Sequence, residues 1–137
     1  MVDSALTNAE VERIALDLVM QLERAAGRNP LDVHTTGEPF DIRSDPRKIE
    51  VKASGGSARG AQVPLEHRQV KEWQKDPENF YVYVVDNVRG GVDAMTVRVL
   101  HGKLLAAMID RATPVKTYWP TLRAAEYDGA EQLSNLT

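Results

Sequence analysis

The amino-acid sequence predicts an α/β domain: a mixed β-sheet flanked by helices, in the order α-β-β-β-α-β-β with further helix after it. Three observations predict it. An amphipathic helical stripe opens the chain, and two short runs of alternating polarity follow it. A continuous aromatic and β-branched run, FYVYVV at 80–85, then reads as a strand covered on both faces. With 137 residues, 42% of them apolar and 27% charged, the chain has the size and composition of a single globular domain. The domain is expected over 1–128, with 129–137 a flexible polar tail.

The first helix is expected over 7–26. Val11, Ile14, Ala15, Leu18, Val19 and Leu22 recur at the spacing of one helical face. Thr7 or Asn8 can cap its start, with Glu10 in the first turn; Gly27 can cap its end, and Pro30 prevents a restart. Short strands are expected at 31–34, 40–44 and 49–53. In the second, Phe40 and Ile42 should share a face; in the third, Ile49 and Val51 point one way, Glu50 and Lys52 the other. Asp45–Pro46 is a turn signal, so the last two runs read as an antiparallel hairpin.

The segment 54–62, SGGSARGAQ, has three glycines and no bulky apolar residue, and reads as a mobile loop. A second helix is expected over 63–75, with Pro64 near its first position, Val63, Val70 and Trp73 on its buried side, and Asp76–Pro77 ending it. After the strand at 80–85 come a turn at 87–91, a strand at 94–100 and a short helix at 104–109. Tyr118, Trp119 and Tyr127 are expected to pack back on the core.

Composition narrows the chemistry. The chain has no cysteine, which removes disulfides, thiolate metal sites and cysteine nucleophiles. No apolar run approaches the ~20 residues that cross a bilayer, and the acidic start does not resemble a secretory signal, so a cytoplasmic location without membrane partners is expected. The net charge is −3, but it is unevenly spread: −5 over 1–41, +4 over 42–75 and −2 over 76–137. A basic middle can present a local positive face, although a mixed solvated surface accounts for it equally well. His34, His67 and His101 lack metal-ligand spacing and read as surface or satisfied histidines; phosphate-loop, dinucleotide and serine-elbow motifs are absent.

One constellation stands out. If the hairpin forms, Glu50 and Lys52 share a strand face, and Asp41 lies on the neighbouring strand where the chain leaves for the glycine-rich loop. Hard divalent ions bind through one or two carboxylates, waters and substrate phosphate, and the Val51 carbonyl can add an oxygen. Lys52 can position water or offset transition-state charge. These parts suit phosphodiester hydrolysis. By spacing alone, a solvated strand face is the better of the two readings.

At FDIRS and RKIEVKAS the chain resembles the PD-(D/E)XK nuclease superfamily, with Asp41 followed by Glu50–Val51–Lys52. More widely, VERIALDLVMQLERAAGRNPLDV, then FDIRS, RKIEVKAS and FYVYVVDNV resemble the domain named for the C-terminus of the plant protein NO VEIN, which is of uncharacterised function and is assigned to the restriction-endonuclease-like fold. The similarity spans about residues 9–99. The resemblance implies a restriction-endonuclease-like core with Asp41 and Glu50 as metal ligands and Lys52 as the catalytic cation. It implies Glu12 as an added acid beside the site, and Gln69 as a weaker candidate from the second helix. Pro39 stands where the family usually has a glycine, with Gly37 two residues earlier, and VPLEHRQ offers Glu66 in place of the family's threonine and later glutamate.

The activity so implied is Mg²⁺-dependent cutting of nucleic acid, DNA above all, with Mn²⁺ as a substitute ion. Lys48, Arg59, Arg68, Lys71 and Lys75 would hold phosphates, which positions a duplex without reading its sequence. So short a chain leaves little room for a recognition module. The expected cutting is therefore non-specific, structure-directed or targeted by a partner protein, and a homodimer would supply a site for the second strand. The alternative is a catalytically inactive nucleic-acid-binding module of the same fold, or an interaction protein that docks through its aromatic C-terminal segment.

Overall fold

The computed structural model describes residues 6–133. Helix α1 (Asn8–Ala25) precedes strands β1 (Leu31–Asp32), β2 (Ile42–Ser44) and β3 (Arg47–Ala53), helix α2 (His67–Lys75), strands β4 (Phe80–Asp86) and β5 (Thr96–Leu100), and helices α3 (Gly102–Arg111) and α4 (Ala124–Gly129). The five strands form one mixed sheet in the order β1-β2-β3-β4-β5. Only β3 and β4 run parallel, with Glu50 opposite Val82 and Lys52 opposite Val84. The other pairs are antiparallel. The mixed sheet flanked by helices follows the expected element order, and nothing in it conflicts with a restriction-endonuclease-like core.

Each element follows from local chemistry. Thr7 and Glu10 cap α1 reciprocally: Glu10 N donates to Thr7 Oγ1 at 3.1 Å, and Thr7 N to Glu10 Oε1 at 2.9 Å. At the other end Gly27 takes φ +85°, which lets its N–H reach Arg24 O and that of Arg28 reach Glu23 O. The buried stripe of α1 is Val11, Ala15, Leu16, Val19 and Glu23, so it is rotated from the expected one. Leu22 is turned to solvent, and Glu23 takes the inward place beside it.

The two faces of the sheet bury separate cores. α1 packs with Ile42, Ile49, Tyr83, Val85 and Val88 on one face. On the other, Val33, Phe40, Phe80, Val82, Val84 and Leu105 are joined by Trp73 of α2 and Ile109 of α3. β4 contributes to both, as its uninterrupted apolar run requires. Phe40 and Ile42 do not share a face: the chain bends through 39–41, β2 begins only at Ile42, and Phe40 drops into the opposite core.

Three further expectations are corrected. α2 starts at His67, not 63, because Val63–Glu66 stays extended and Glu66 is the N-cap. The glycine-rich loop is held in place: the buried Asp86 carboxylate accepts from Ala58 N at 2.9 Å, while Asn87, Val88 and Arg89 N–H donate to Gly56, Ser54 and Gly55 carbonyls. The C-terminal aromatics do not return to the core: Tyr118, Trp119 and Tyr127 are 83%, 88% and 70% exposed. Of the expected tail, residues 130–133 are exposed and 134–137 lie outside the described residues.

Candidate functional site

The site forms where the hairpin opens. β2 pairs with β3 only from Arg47 to Ile49. Asp41 continues the ladder by one bond, its N–H donating to Ile49 O at 2.9 Å. Beyond that its side chain takes over: Asp41 Oδ2 accepts from Val51 N at 2.8 Å. The carboxylate thus closes the edge of β3 at the point where β2 has turned away. A strand residue points its N–H and C=O to the same edge, so the Val51 carbonyl also faces this opening.

The opening is a cleft of about 680 Å³, lined by Glu12 and Arg13 of α1, His34, Asp41, Glu50 to Ala53 of β3, and Gln62 to Pro64 ahead of α2. It brings Glu12, Asp41, Glu50, Val51 and Lys52 to one place, from three segments of the chain. Glu50 is buried and Glu12 exposed. The Lys52 ammonium lies 3.0 Å from Glu50 Oε2, while Glu50 Oε1 is buried without a hydrogen-bond partner. Burial first, and the neighbouring Asp41 carboxylate second, push the Glu50 carboxyl up to about 7 against the pull of Lys52. A half-neutralised acid with a spare inward oxygen costs stability and suits a group reserved for a proton or a cation. Among the described residues, no three His, Asp or Glu side chains gather closely enough to hold an ion between them. A cation here would rest on Asp41 and Glu50, the Val51 carbonyl and water, a donor set that suits Mg²⁺.

A family model described as Protein NO VEIN, C-terminal matches residues 11–99. The chain belongs to this family. The matched span runs from the buried face of α1 to the end of β5 and contains Glu12, Asp41, Glu50 and Lys52. No curated protein matches the chain. No solved structure matches it either.

The remaining expected positions of the NO VEIN C-terminal domain divide by their partners. Lys48 is not free for phosphate: its ammonium donates to Glu72 at 2.7 Å and lies 3.2 Å from Asp76, and the hydrogen bond to Glu72 holds its pKa above the ordinary lysine value. Arg68 donates to Gly37 O at 3.1 Å and pairs with Glu66 at 3.3 Å. Lys75 is exposed, 3.3 Å from Glu72. Arg59 and Lys71 are exposed and form no ion pair among the described residues. Gln69 neither lines the cleft nor sits at the surface: it is buried, and its Oε1 accepts from Glu66 N at 2.9 Å, capping α2. Two cleft residues escaped the sequence reading. His34 sits at the rim with its ring against the Asp32 carboxylate, and Arg13 reaches Asp17 and Asp32 beside it. No spacing in the sequence signals either, since Asp32 and His34 are brought to the rim by the turn after β1.

Described helices include none long and apolar enough to cross a membrane.

Proposed function

We propose that this domain belongs to the PD-(D/E)XK superfamily and hydrolyses phosphodiesters of nucleic acid, DNA in the first place, with Mg²⁺. The single observation that supports this reading is the pairing of Asp41 and Glu50 at the open edge of β3, with one Glu50 oxygen buried and unpartnered and Lys52 beside the other. Buried orphan oxygens are rare in native folds, and either a proton shared with Asp41 or a hard cation would give this one its partner. When bound, such an ion neutralises phosphate charge and makes water more acidic.

The chain's own groups supply the rest. Asp41 is fixed by the Val51 N–H, so one of its oxygens is oriented and the other is left for a ligand. Lys52, its ammonium 3.0 Å from Glu50, would offset charge on a phosphate oxygen under attack. Glu12 and His34 at the rim can accept a proton from water entering the cleft. Arg59 and Lys71 are free to hold the backbone; Lys48 is not.

A second reading has its own observation. Lys52 already lies 3.0 Å from Glu50, and among the described residues no third acid closes on the pair. A domain that binds nucleic acid without cutting it, or docks a protein, would carry the same fold. Plasmid incubated with Mg²⁺ or Mn²⁺ separates the two. Nicking lost in Asp41→Ala and Lys52→Ala supports hydrolysis; salt-sensitive DNA binding without nicking supports the binding module; nicking that survives both substitutions sinks the proposed site.

A further inference from the structure

We infer that the C-terminal segment is an arm that docks into an apolar groove on a second copy of this chain, and that two copies exchange arms reciprocally. From Arg111 to Leu133 every residue is exposed. Within this stretch Val115 is 89%, Tyr118 83%, Trp119 88% and Leu122 66% exposed. Single apolar side chains on a surface need no explanation, but four within eight residues, uncovered by any of the described residues, mark a binding segment.

A groove of matching chemistry lies at the other end of α3. It encloses about 510 Å³ between Trp73, Pro77, Glu78, His101, Lys103 and Ala106, and apolar atoms make up nearly all of its lining. Trp73 and His101 give it aromatic walls. The His101 ring is fixed there, stacked on Tyr81 at 3.7 Å and hydrogen-bonded to Glu78 O at 2.8 Å. Grooves with aromatic walls take extended, proline-bearing segments, and the arm is one: Pro114 and Pro120 bracket VKTYW. The groove wall carries one acid, Glu78, and one base, Lys103, so Lys116 beside the apolar anchors can pair only at the Glu78 side.

The backbone decides between the arm's own groove and a partner's. To reach its own groove, the chain would have to reverse directly after Arg111 and run back along α3. Residues 112–123 contain two prolines and no glycine. The residues before those prolines, Thr113 and Trp119, are restricted to extended conformations, and Ala112 is extended as well, at φ −75° and ψ 143°. A stretch so stiffened resists the tight reversal that its own groove would require, so the groove it fits is that of another copy. The reverse contact follows from twofold symmetry, so the assembly closes at two.

Sedimentation of the full chain over a micromolar to near-millimolar series tests this. Wild type is expected to dimerise. Trp119→Ala, which alters only an exposed side chain, and Ala106→Arg, which fills the groove, are each expected to be monomeric with unchanged far-ultraviolet circular dichroism. Mixing the two variants is expected to restore a heterodimer, because one intact arm and one intact groove remain. A monomeric wild type overturns the inference, whether its arm is free or folded on its own groove. A dimer that survives both substitutions, or variants that fail to recombine, overturns it as well.

Discussion

Glu50 is the residue on which the site turns, and its cost to the fold is measurable. Its carboxyl binds its proton more tightly in the folded chain, at about 7, than in the unfolded one, at 4.5. The folded state therefore holds the extra proton between those values, and stability falls as pH rises through that window. Below it both states are protonated and the penalty is absent; above it the penalty is complete. Glu50→Gln should raise the melting temperature at pH 8 and lose that advantage towards pH 4.5, in thermal scans across the range. If Mg²⁺ binds as proposed, it should raise the melting temperature of the wild type, and the same substitution should abolish that shift, since a ligand stabilises only the state that binds it. A buried acid whose removal stabilises the fold is one kept for function.

Glu23 is the opposite case. Burial pushes its carboxyl up, but bonds from Arg28 at 2.5 and 2.8 Å and from Tyr83 at 2.9 Å outweigh this and hold it below the ordinary carboxylate value. It closes α1 against the sheet. Arg28→Ala leaves a buried charge unpaired and should cost about 3 kcal/mol in urea unfolding near neutral pH. The cost should shrink in acid, as Glu23 protonates.

Among the elements, the contact between α1 and the glycine-rich loop passes through Arg89. Its guanidinium bonds Leu6 O and Asn8 Oδ1 ahead of and within α1, and its side chain lies flat on Gly55. A Cβ at Gly55 would fall 2.5 Å from Arg89 Nε, so Gly55→Ala must displace the arginine. Faster amide exchange in the first turn of α1 and in the loop is the expected result, with β4 unchanged. Exchange confined to residue 55 itself would show that Arg89 is not the connection.

The elements also show where sequence reading succeeds. α1, the hairpin and β4 carry signals that span several residues, and all three form. The stripe of α1 is displaced towards Glu23, because hydropathy cannot foresee that an acid will find Arg28 and Tyr83 inside. Two-residue alternation puts Phe40 on the wrong face, because it assumes a strand that the bend at 39–41 delays.

For the whole molecule, the charge distribution yields a test of the nucleic-acid reading. A basic middle was visible in the sequence, but ion pairing withdraws part of it: Lys48 is held by Glu72 and Asp76, while Arg59 and Lys71 are not paired among the described residues. If DNA binds, Arg59→Ala and Lys71→Ala should each reduce the slope of log affinity against log salt by about 1, and Lys48→Ala should leave it unchanged while lowering stability. An equal effect of Lys48 would mean that its pairs with Glu72 and Asp76 open when DNA binds.

By itself the sequence determined the order of the elements, the two-sided burial of β4, the hairpin and the two acids and lysine it carries, because these follow from local periodicity and turn chemistry. Only the tertiary structure decided what surrounds them. It turned β2 away so that Asp41 closes the edge of β3, brought His34 and Arg13 to the rim, buried Gln69 as a cap, and left the C-terminal aromatics in water. Each of these depends on which distant segment fills the space beside a residue, and contacts between distant segments leave no period in the chain.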